Sequence, residues 1–356
     1  MIGKRSAIGI FLSLALSACV TVNGGDNALT GETNWGVSKP GDELGNAKAL
    51  GPETWARCAA EISAPGAKSY ELSYVRSNTM PASPFGGPLK YSYRGTLGLP
   101  GTRHAFNGET VSGEEAAQAT QMDALGHFGF LDEPWDGKGA FPTDKVRYFG
   151  GFTQKDVKPN AVAPLAHLGV EKVPPIITTA ILLDAQSYIG KGAPLGPGDL
   201  VTANDIEAML IAQGLGVRGL LPGDVLYIRT GWGEKWTDPA SDPDYYAMGP
   251  GLSFDAVQLI GAKGIALVSL DNPFTDPVNR GQLQGQAGPA AGTPEGLPFV
   301  NHHYNLTQSG VLQIQNSRLD ELANDKVWLS CTMILPLRIE GGSGSPVRSV
   351  AIGAPR

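Results

Sequence analysis

Residues 120–128 read T-Q-M-D-A-L-G-H-F and are the most informative stretch of this chain. They place the carboxylate of Asp123 four residues before the imidazole of His127, among small and apolar neighbours. An Asp and a His at this spacing often meet by chance, on a solvated surface or at a capped helix start. By itself, this spacing is therefore a weak signal of function.

The same block resembles the signature H-x-G-T-H-x-D-x-P-x-H of a metal-dependent cyclase/hydrolase family that includes bacterial kynurenine formamidase and isatin hydrolase. Thr120, Asp123 and His127 match the signature, whereas Ala117 and Gln121 stand at its two leading His positions. Six further segments are similar to family segments and follow in the family order: residues 71–74, 80–81, 168–176, 181–184, 221–233 and 344–348. The resemblance implies an α/β fold, the swivelling β/β/α domain of the cyclase family, often assembled into homo-oligomers.

The resemblance also implies a set of site residues. Family members with the full signature hold one or two Zn or Mn ions through His, Asp and Glu ligands. Here the later His corresponds to His302 or His303, and the Glu position falls on Gln315. An amide oxygen offers neither the charge of a carboxylate nor the basicity of an imidazole. Asp123 with one of these two histidines can therefore hold at most one ion weakly, or the same groups and Gln121 can bind a polar substrate instead.

The activity that the resemblance implies is hydrolysis of a carbon–nitrogen bond outside peptides, in an aryl formamide or a cyclic amide. Asp123 would orient a water or an ion for attack on the carbonyl, and His127 would relay the proton. Two alternatives remain open. One is hydrolysis of a lactone, or the reverse cyclisation. The other is a lipid-anchored protein that binds an aromatic or carboxylate ligand and has lost catalytic power, because family members share a fold more reliably than a function.

The N-terminus predicts export to the bacterial cell envelope. Lys4 and Arg5 precede an apolar run over residues 7–16, which is the pattern of a signal peptide. The Leu-Ser-Ala-Cys ending at Cys19 resembles the lipobox of bacterial lipoproteins, whose cysteine carries the lipid. A lipidated Cys19 would anchor the protein to the membrane on its periplasmic or outer-membrane side. The predicted division is a signal peptide over residues 1–18, an anchor and tether over 19–60, and a catalytic domain over 61–356.

Composition excludes several classes of protein. A formal net charge of −7 without clustered basic residues argues against binding to nucleic acid. Hydrophobic residues make up 42% of the chain, enough to bury a large core.

Besides Cys19, only Cys58 and Cys331 are present, and they form either one disulfide or two buried free thiols.

Short β-like runs alternate with helical stretches, which favours an α/β architecture. We expect strands at residues 70–75, 88–93, 176–183, 225–229 and 264–270, and helices at 203–213, capped by Asn204 or Asp205, and 254–262. The G-x-G-x-x-G match at residues 214–219 follows a helix rather than a strand, so it predicts no dinucleotide site. The loop over 279–298 is long enough for a lid.

Two tryptophans and two histidines remain, and of these only Trp232 lies in a family-like segment, residues 221–233. Trp232 and Trp236 are expected to pack in the core, with a substrate wall as the alternative. His104 and His167 have no partner pattern and are assigned no role.

Overall fold

The computed structural model describes residues 39–356, which fold into a mixed α/β structure. The predicted signal peptide, Cys19 and the start of the predicted tether lie outside these residues. The strands are β1 Lys68–Glu71, β2 Leu89–Gly98, β3 Ala105–Gly113, β4 Gln121–Asp123, β5 Ile176–Asp184, β6 Leu200–Val201, β7 Val225–Arg229, β8 Gly251–Leu252, β9 Leu267–Leu270, β10 Leu312–Gln315, β11 Leu329–Ile334, β12 Gly344–Pro346 and β13 Val350–Gly353. The α-helices are α1 Pro52–Ile62, α2 Gln154–Val157, α3 Ala185–Tyr188, α4 Ala203–Ala212, α5 Phe254–Ala262, α6 Val300–His303 and α7 Asp320–Asn324. Over this part of the chain, no helix is both long and apolar enough to cross a membrane.

A nine-stranded sheet forms the centre of the fold, in the order β1-β13-β11-β5-β7-β9-β10-β4-β12. Strands β5, β7, β9 and β10 are parallel, and the strands on both sides of them are antiparallel. The parallel strands are joined by crossovers through helices, as parallel pairing requires. The predicted α/β class is confirmed. Two further pairs, β2–β3 and β6–β8, lie outside this sheet.

The central strand β5 is buried on both faces of the sheet, which explains its continuous apolar sequence. Because side chains alternate along a strand, Ala180 and Leu182 pack in one core, and Ile181 and Leu183 pack in the other. Helices α4 and α5 cover the second core. The predicted strand at 176–183 and helix at 254–262 are therefore confirmed almost to the residue.

The predicted strand at 70–75 ends at Glu71, and the one at 88–93 extends to Gly98. Local backbone hydrogen bonds explain two further wrong boundaries. Helix α4 is capped by Thr202, not by Asn204 or Asp205: the Thr202 hydroxyl accepts the Asp205 N–H, and the Asp205 carboxylate accepts the Thr202 N–H. Strand β9 begins at Leu267, not at 264, because Gly264 has φ 69° and its N–H closes a turn to the Gly261 carbonyl. Thus each of these two corrections comes from a local hydrogen bond.

The predicted tether, residues 19–60, overlaps helix α1, which is part of the folded body. Arg57 donates to the Pro222 carbonyl at 3.0 Å, and Thr54 is almost fully buried. Cys58 on α1 forms a disulfide with Cys331 on β11. The folded unit therefore begins before the helix rather than at residue 61, because the helix buries one face on the sheet.

Loss of this disulfide is expected to lower the free energy of unfolding by about 2–5 kcal/mol, because the bond closes a long loop in the unfolded chain. The double substitution Cys58→Ala, Cys331→Ala removes it, and chemical denaturation measures the change. Thiol reductant should lower the melting temperature of the wild type and leave that of the double variant unchanged. Equal melting temperatures for the oxidised and reduced wild type would contradict a structural role.

Candidate active site

Strands β4 and β10 bring four polar side chains onto one face of the sheet. Gln121 and Asp123 lie two residues apart on β4, so their side chains point to the same face. The antiparallel register sets Gln315 opposite Gln121, and Gln313 opposite Asp123. Thr120 helps to hold these strands in place, because its hydroxyl donates to the Asn316 carbonyl at 2.6 Å. Residues almost two hundred positions apart in the chain thereby meet in one site.

Asp123 is a buried carboxylate at the centre of this face, 1% exposed. Burial alone would raise its pKa, but the charges of His127 and His302 and a hydrogen bond from Gln315 lower it below the usual value. The Gln315 side-chain N–H donates to Asp123 Oδ2 at 2.6 Å. A carboxylate can only accept, so this bond fixes the Gln315 amide with its oxygen turned away from Asp123.

His302 is the histidine that faces Asp123. Its Nε2 lies 3.6 Å from Asp123 Oδ2, and its Nδ1 lies 2.5 Å from Asp276 Oδ2. Burial disfavours a charge on this ring, but the two carboxylates outweigh burial and raise its pKa to about 10. His302 is therefore an imidazolium that bridges two carboxylates at neutral pH, and it cannot act as a base in that state.

His303 points elsewhere, although the sequence left the choice between it and His302 open. The two residues are adjacent at the end of α6, where a π-helix over Tyr304–Ser309 begins. Consecutive helical residues face different directions, so His303 packs edge-on against Phe130, with ring centroids 5.2 Å apart. Burial lowers the pKa of His303 to about 4, which makes it a neutral ring. Of the two candidates, His302 is thus the one at Asp123.

His127 ends a short 3₁₀ turn over Leu125–His127. Its Nε2 lies 4.0 Å from Asp123 Oδ1, and its side chain is 35% exposed. This distance is too long for a direct hydrogen bond, and it leaves room for a water or substrate atom between the two groups. The structure therefore brings together Asp123, His127, Gln121, Gln315 and His302, and it leaves out His303.

These side chains line a cavity of about 180 Å³, called here the inner pocket, whose apolar wall includes Phe85, Phe128, Phe274 and Phe299. Three oxygens of its lining residues are buried and, within residues 39–356, have no hydrogen-bond partner: Gln121 Oε1, Asp123 Oδ1 and Gln315 Oε1. Buried acceptors are almost always satisfied, and exceptions indicate a bound water, ion or ligand. The inner pocket is therefore built to receive hydrogen-bond donors or a cation.

The donor set fits an oxygen-preferring divalent ion such as Mn²⁺ better than it fits Zn²⁺. One carboxylate and two amide oxygens are ligands that suit Mn²⁺ or Mg²⁺, whereas Zn²⁺ sites are built mainly from imidazole and thiolate. In the described part of the chain, no three His, Cys, Asp or Glu residues cluster as metal ligands. Gln121, Asp123 and Gln315 are the residues that would hold the ion.

We expect at most one divalent ion per chain to survive dialysis, because a single carboxylate supplies the only ligand charge among these three residues. Asp123→Asn should abolish that binding, whereas Asp132→Asn, which removes a partly exposed carboxylate outside the inner pocket, should not. Elemental analysis of dialysed protein measures the content. Two tightly held ions per chain, or equal content in Asp123→Asn, would contradict this ligand set.

Tyr246 and Asn316 also line the inner pocket and were missed from the sequence. The Tyr246 hydroxyl accepts a hydrogen bond from Asn316 Nδ2 at 3.3 Å. Burial raises the pKa of Tyr246, so the hydroxyl keeps its proton. Because the Tyr246 oxygen accepts from Asn316, the hydroxyl hydrogen can point into the pocket as a donor. No sequence motif marks either residue, and Tyr246 lies in a segment without regular secondary structure.

The other candidates have structural surroundings. Trp232 is buried and donates to the Tyr245 carbonyl, and Trp236 stacks on Tyr74 at 4.4 Å, so both pack as expected. His167 pairs with Glu43 at 3.0 Å, away from the inner pocket. The end of the predicted lid, residues 294–298, lines a second cavity beside the inner pocket.

The sequence profile of the cyclase family matches residues 70–277, more than half of the chain. The chain belongs to the cyclase family. The crystal structure of a novel cyclase superposes on this family member with a TM-score of 0.69 and 24% identity, covering 87% of this chain and 96% of that one. Isatin hydrolase A from Ralstonia solanacearum gives a TM-score of 0.51 and 21% identity, covering 81% and 92%. An isatin hydrolase bound to the product analogue thioisatinate gives 0.52 and 18%, covering 82% and 93%.

At these identities, the likeness shows a shared fold. No curated protein matches the chain at a significant level. The family resemblance carried by the residue 120–128 block is confirmed, and the family supports hydrolase or cyclase chemistry.

Proposed function

We propose that this cyclase-family chain hydrolyses a carbon–nitrogen bond in an aryl formamide or a cyclic amide. The observation that carries the proposal is the inner pocket itself. Within residues 39–356, the ionised Asp123 has one unpartnered oxygen, and Gln121 and Gln315 each add another. His127 and the protonated Tyr246 hydroxyl also line this pocket. Acceptors suit an attacking water, and a donor suits a carbonyl oxygen.

The attacking water would lie between Asp123 and His127. Asp123 Oδ1 accepts one of its hydrogens and orients the oxygen toward the carbonyl carbon. His127, 4.0 Å away, takes the proton as the new carbon–oxygen bond forms and returns it to the nitrogen as the carbon–nitrogen bond breaks. A divalent ion held by Gln121, Asp123 and Gln315 would add Lewis-acid polarisation of the water or the carbonyl.

The carbonyl oxygen gains negative charge during this addition and needs a donor. Tyr246 O–H can supply that hydrogen bond in a largely buried pocket, where a preorganised donor stabilises the transition state strongly. Asn316 Nδ2 holds the hydroxyl from its other side. The same arrangement serves lactone hydrolysis, because an ester carbonyl develops the same charge. A protein that only binds a ligand would have less need for the partly exposed imidazole of His127 beside the ionised carboxylate of Asp123.

Turnover of defined substrates tests the proposal. Purified protein, assayed with and without added Mn²⁺ or Zn²⁺, is given formanilide as an aryl formamide, isatin as a cyclic amide and dihydrocoumarin as a lactone. We expect hydrolysis of at least one amide. Turnover of the lactone alone would favour the lactonase alternative, and no turnover of any of the three by folded protein would favour a binding role.

We also propose that the protein is anchored in the cell envelope through Cys19, on the lipobox-like sequence that ends there. The expected mature protein begins at Cys19, carries acyl chains and is found in the membrane fraction. Mass spectrometry of the N-terminal peptide checks this, with Cys19→Ala as the variant that should lose both the acyl mass and the membrane association. An unmodified N-terminus at another residue would overturn the anchor.

A further inference from the structure

A second cavity of about 950 Å³, called here the outer cavity, adjoins the inner pocket. His127, Phe128 and Phe299 line both of them, so these three residues stand at the junction. The outer cavity lies between residues 127–135 and the end of the long loop at residues 294–299. It falls within the usual size range of small-molecule sites, whereas the inner pocket holds little more than a reacting group and its water.

The walls of the outer cavity are rich in aromatic rings. Phe130, Trp135, Phe141 and Tyr148 all line it, and Trp135 meets Phe141 edge to face with ring centroids 5.5 Å apart. Trp135 and Phe141 are also substantially exposed, which is unusual for a neighbouring pair of large aromatic side chains. Rings in this arrangement offer flat and edge surfaces to another aromatic ring.

One polar atom in this wall has no partner. His303 lines the outer cavity, and its Nε2 is buried without a hydrogen-bond partner among residues 39–356. Its other nitrogen, Nδ1, lies 3.3 Å from Thr307 Oγ1. The Thr307 hydroxyl gives its own hydrogen to the His303 carbonyl at 2.6 Å, so it accepts from Nδ1–H. The ring proton is therefore on Nδ1, and Nε2 offers a lone pair to a donor.

Charge around the cavity limits what can enter it. The charged residues in its lining are Asp132, Glu133 and Glu295, with no Lys or Arg among the described lining residues. Arg147 neutralises Asp132 at 2.9 Å, which leaves two glutamates. A surface with this excess of negative charge repels anions and accepts neutral or cationic molecules.

We propose that the outer cavity binds an uncharged or cationic aromatic group whose N–H or O–H donates to His303 Nε2. We assign this group to the part of the substrate beyond the scissile carbonyl, and that assignment rests on the proposed amide hydrolysis. The bond that breaks then lies at the junction, beside His127, which hands its proton to the departing nitrogen. The inner pocket holds the carbonyl, and the outer cavity selects the aryl group.

Binding of three simple probes to the whole protein tests the ligand class without turnover. Indole is a flat neutral ring with one N–H, 1-methylindole lacks that hydrogen, and indole-3-carboxylate adds a negative charge. By calorimetric titration, 1-methylindole should bind about tenfold more weakly than indole, because it leaves a buried acceptor unpaired. Indole-3-carboxylate should also bind more weakly than indole.

Variants locate the site. His303→Phe should abolish the preference for indole over 1-methylindole, and His303→Gln, which keeps an acceptor near the Nε2 position, should retain it. Trp135→Ala should weaken both neutral probes, because it removes part of the wall. His104→Phe, in the β2–β3 connection, is the control and should change nothing. The wild-type comparison of the two probes stands even if His303→Phe fails to fold.

Equal affinity of the wild type for indole and 1-methylindole would overturn the proposal, as would an unchanged preference in folded His303→Phe. Tighter binding of the carboxylate than of indole would overturn the charge argument. The outcome is separable from the proposed function. If the probes bind with the predicted preference but no amide is turned over, the proposed function is wrong and the proposed ligand class of the outer cavity stands. If amides are turned over but the preference is absent, the proposed function stands and the proposal for the outer cavity is wrong.

Discussion

His127→Ala is expected to lower kcat for amide hydrolysis by about 10²–10⁴-fold, the usual contribution of a positioned proton-transfer group. The residue is partly exposed and makes no direct hydrogen bond to Asp123, so its loss should leave the melting temperature nearly unchanged. Activity and thermal melting measured on the same preparation separate the two effects. His104→Ala removes a histidine outside the inner pocket and serves as the matched control, with wild-type turnover expected.

Asp123→Asn should cause a loss of similar size, because it removes the charge that orients the water. If the two residues act as a unit, the double variant will lose less than the product of the two single losses. The melting temperature is measured as a second readout. The Asn side chain introduced by the substitution is buried and faces His302, and His302 keeps its ion pair with Asp276. Full activity in folded His127→Ala would remove the catalytic assignment, and strictly multiplicative losses would show that the pair does not act together.

Tyr246→Phe is expected to reduce kcat by about 10²–10³-fold, the cost of removing one donor from a developing oxyanion. The effect should fall on kcat more than on KM, because the hydrogen bond strengthens as the carbonyl oxygen gains charge. Asn316 Nδ2 would lose one of its acceptors but keep its bond to the Ala119 carbonyl, so the fold should hold.

Tyr227→Phe is the matched control, since it deletes another buried tyrosine hydroxyl, which bonds to Thr332 on β11 outside the inner pocket. It should lower stability slightly and leave kcat unchanged. A Tyr246→Phe variant that keeps wild-type kcat and loses only stability would show that the hydroxyl has a packing role and donates nothing to the substrate.

Much of the framework was predictable from local patterns. The run at 176–183 is apolar and rich in β-branched residues, and the run at 254–262 has helical spacing, so each became the expected element. Family membership followed from the spacing of Thr120, Asp123 and His127. These features depend on near neighbours in the chain, and a sequence contains that information directly.

The composition of the site depended on contacts between distant segments. Gln315 meets Asp123 across 192 positions, and the disulfide joins Cys58 to Cys331 across 273. Neither pairing has a periodic signal, so the sequence left the cysteines undecided and could not predict which way the Gln315 amide points. Helix α1 was assigned to the tether for the same reason, since it is held by the sheet rather than by its own spacing.

The amino-acid sequence by itself determined the family, the α/β class and the block that carries Asp123 and His127, because short-range spacing records all three. Only the tertiary structure decided that His302 rather than His303 faces Asp123, that Tyr246 enters the pocket and that His303 lines the outer cavity. Two adjacent histidines have the same chemistry in a sequence. They differ only in the direction that the helix gives each ring and in the groups that other strands and loops place around it.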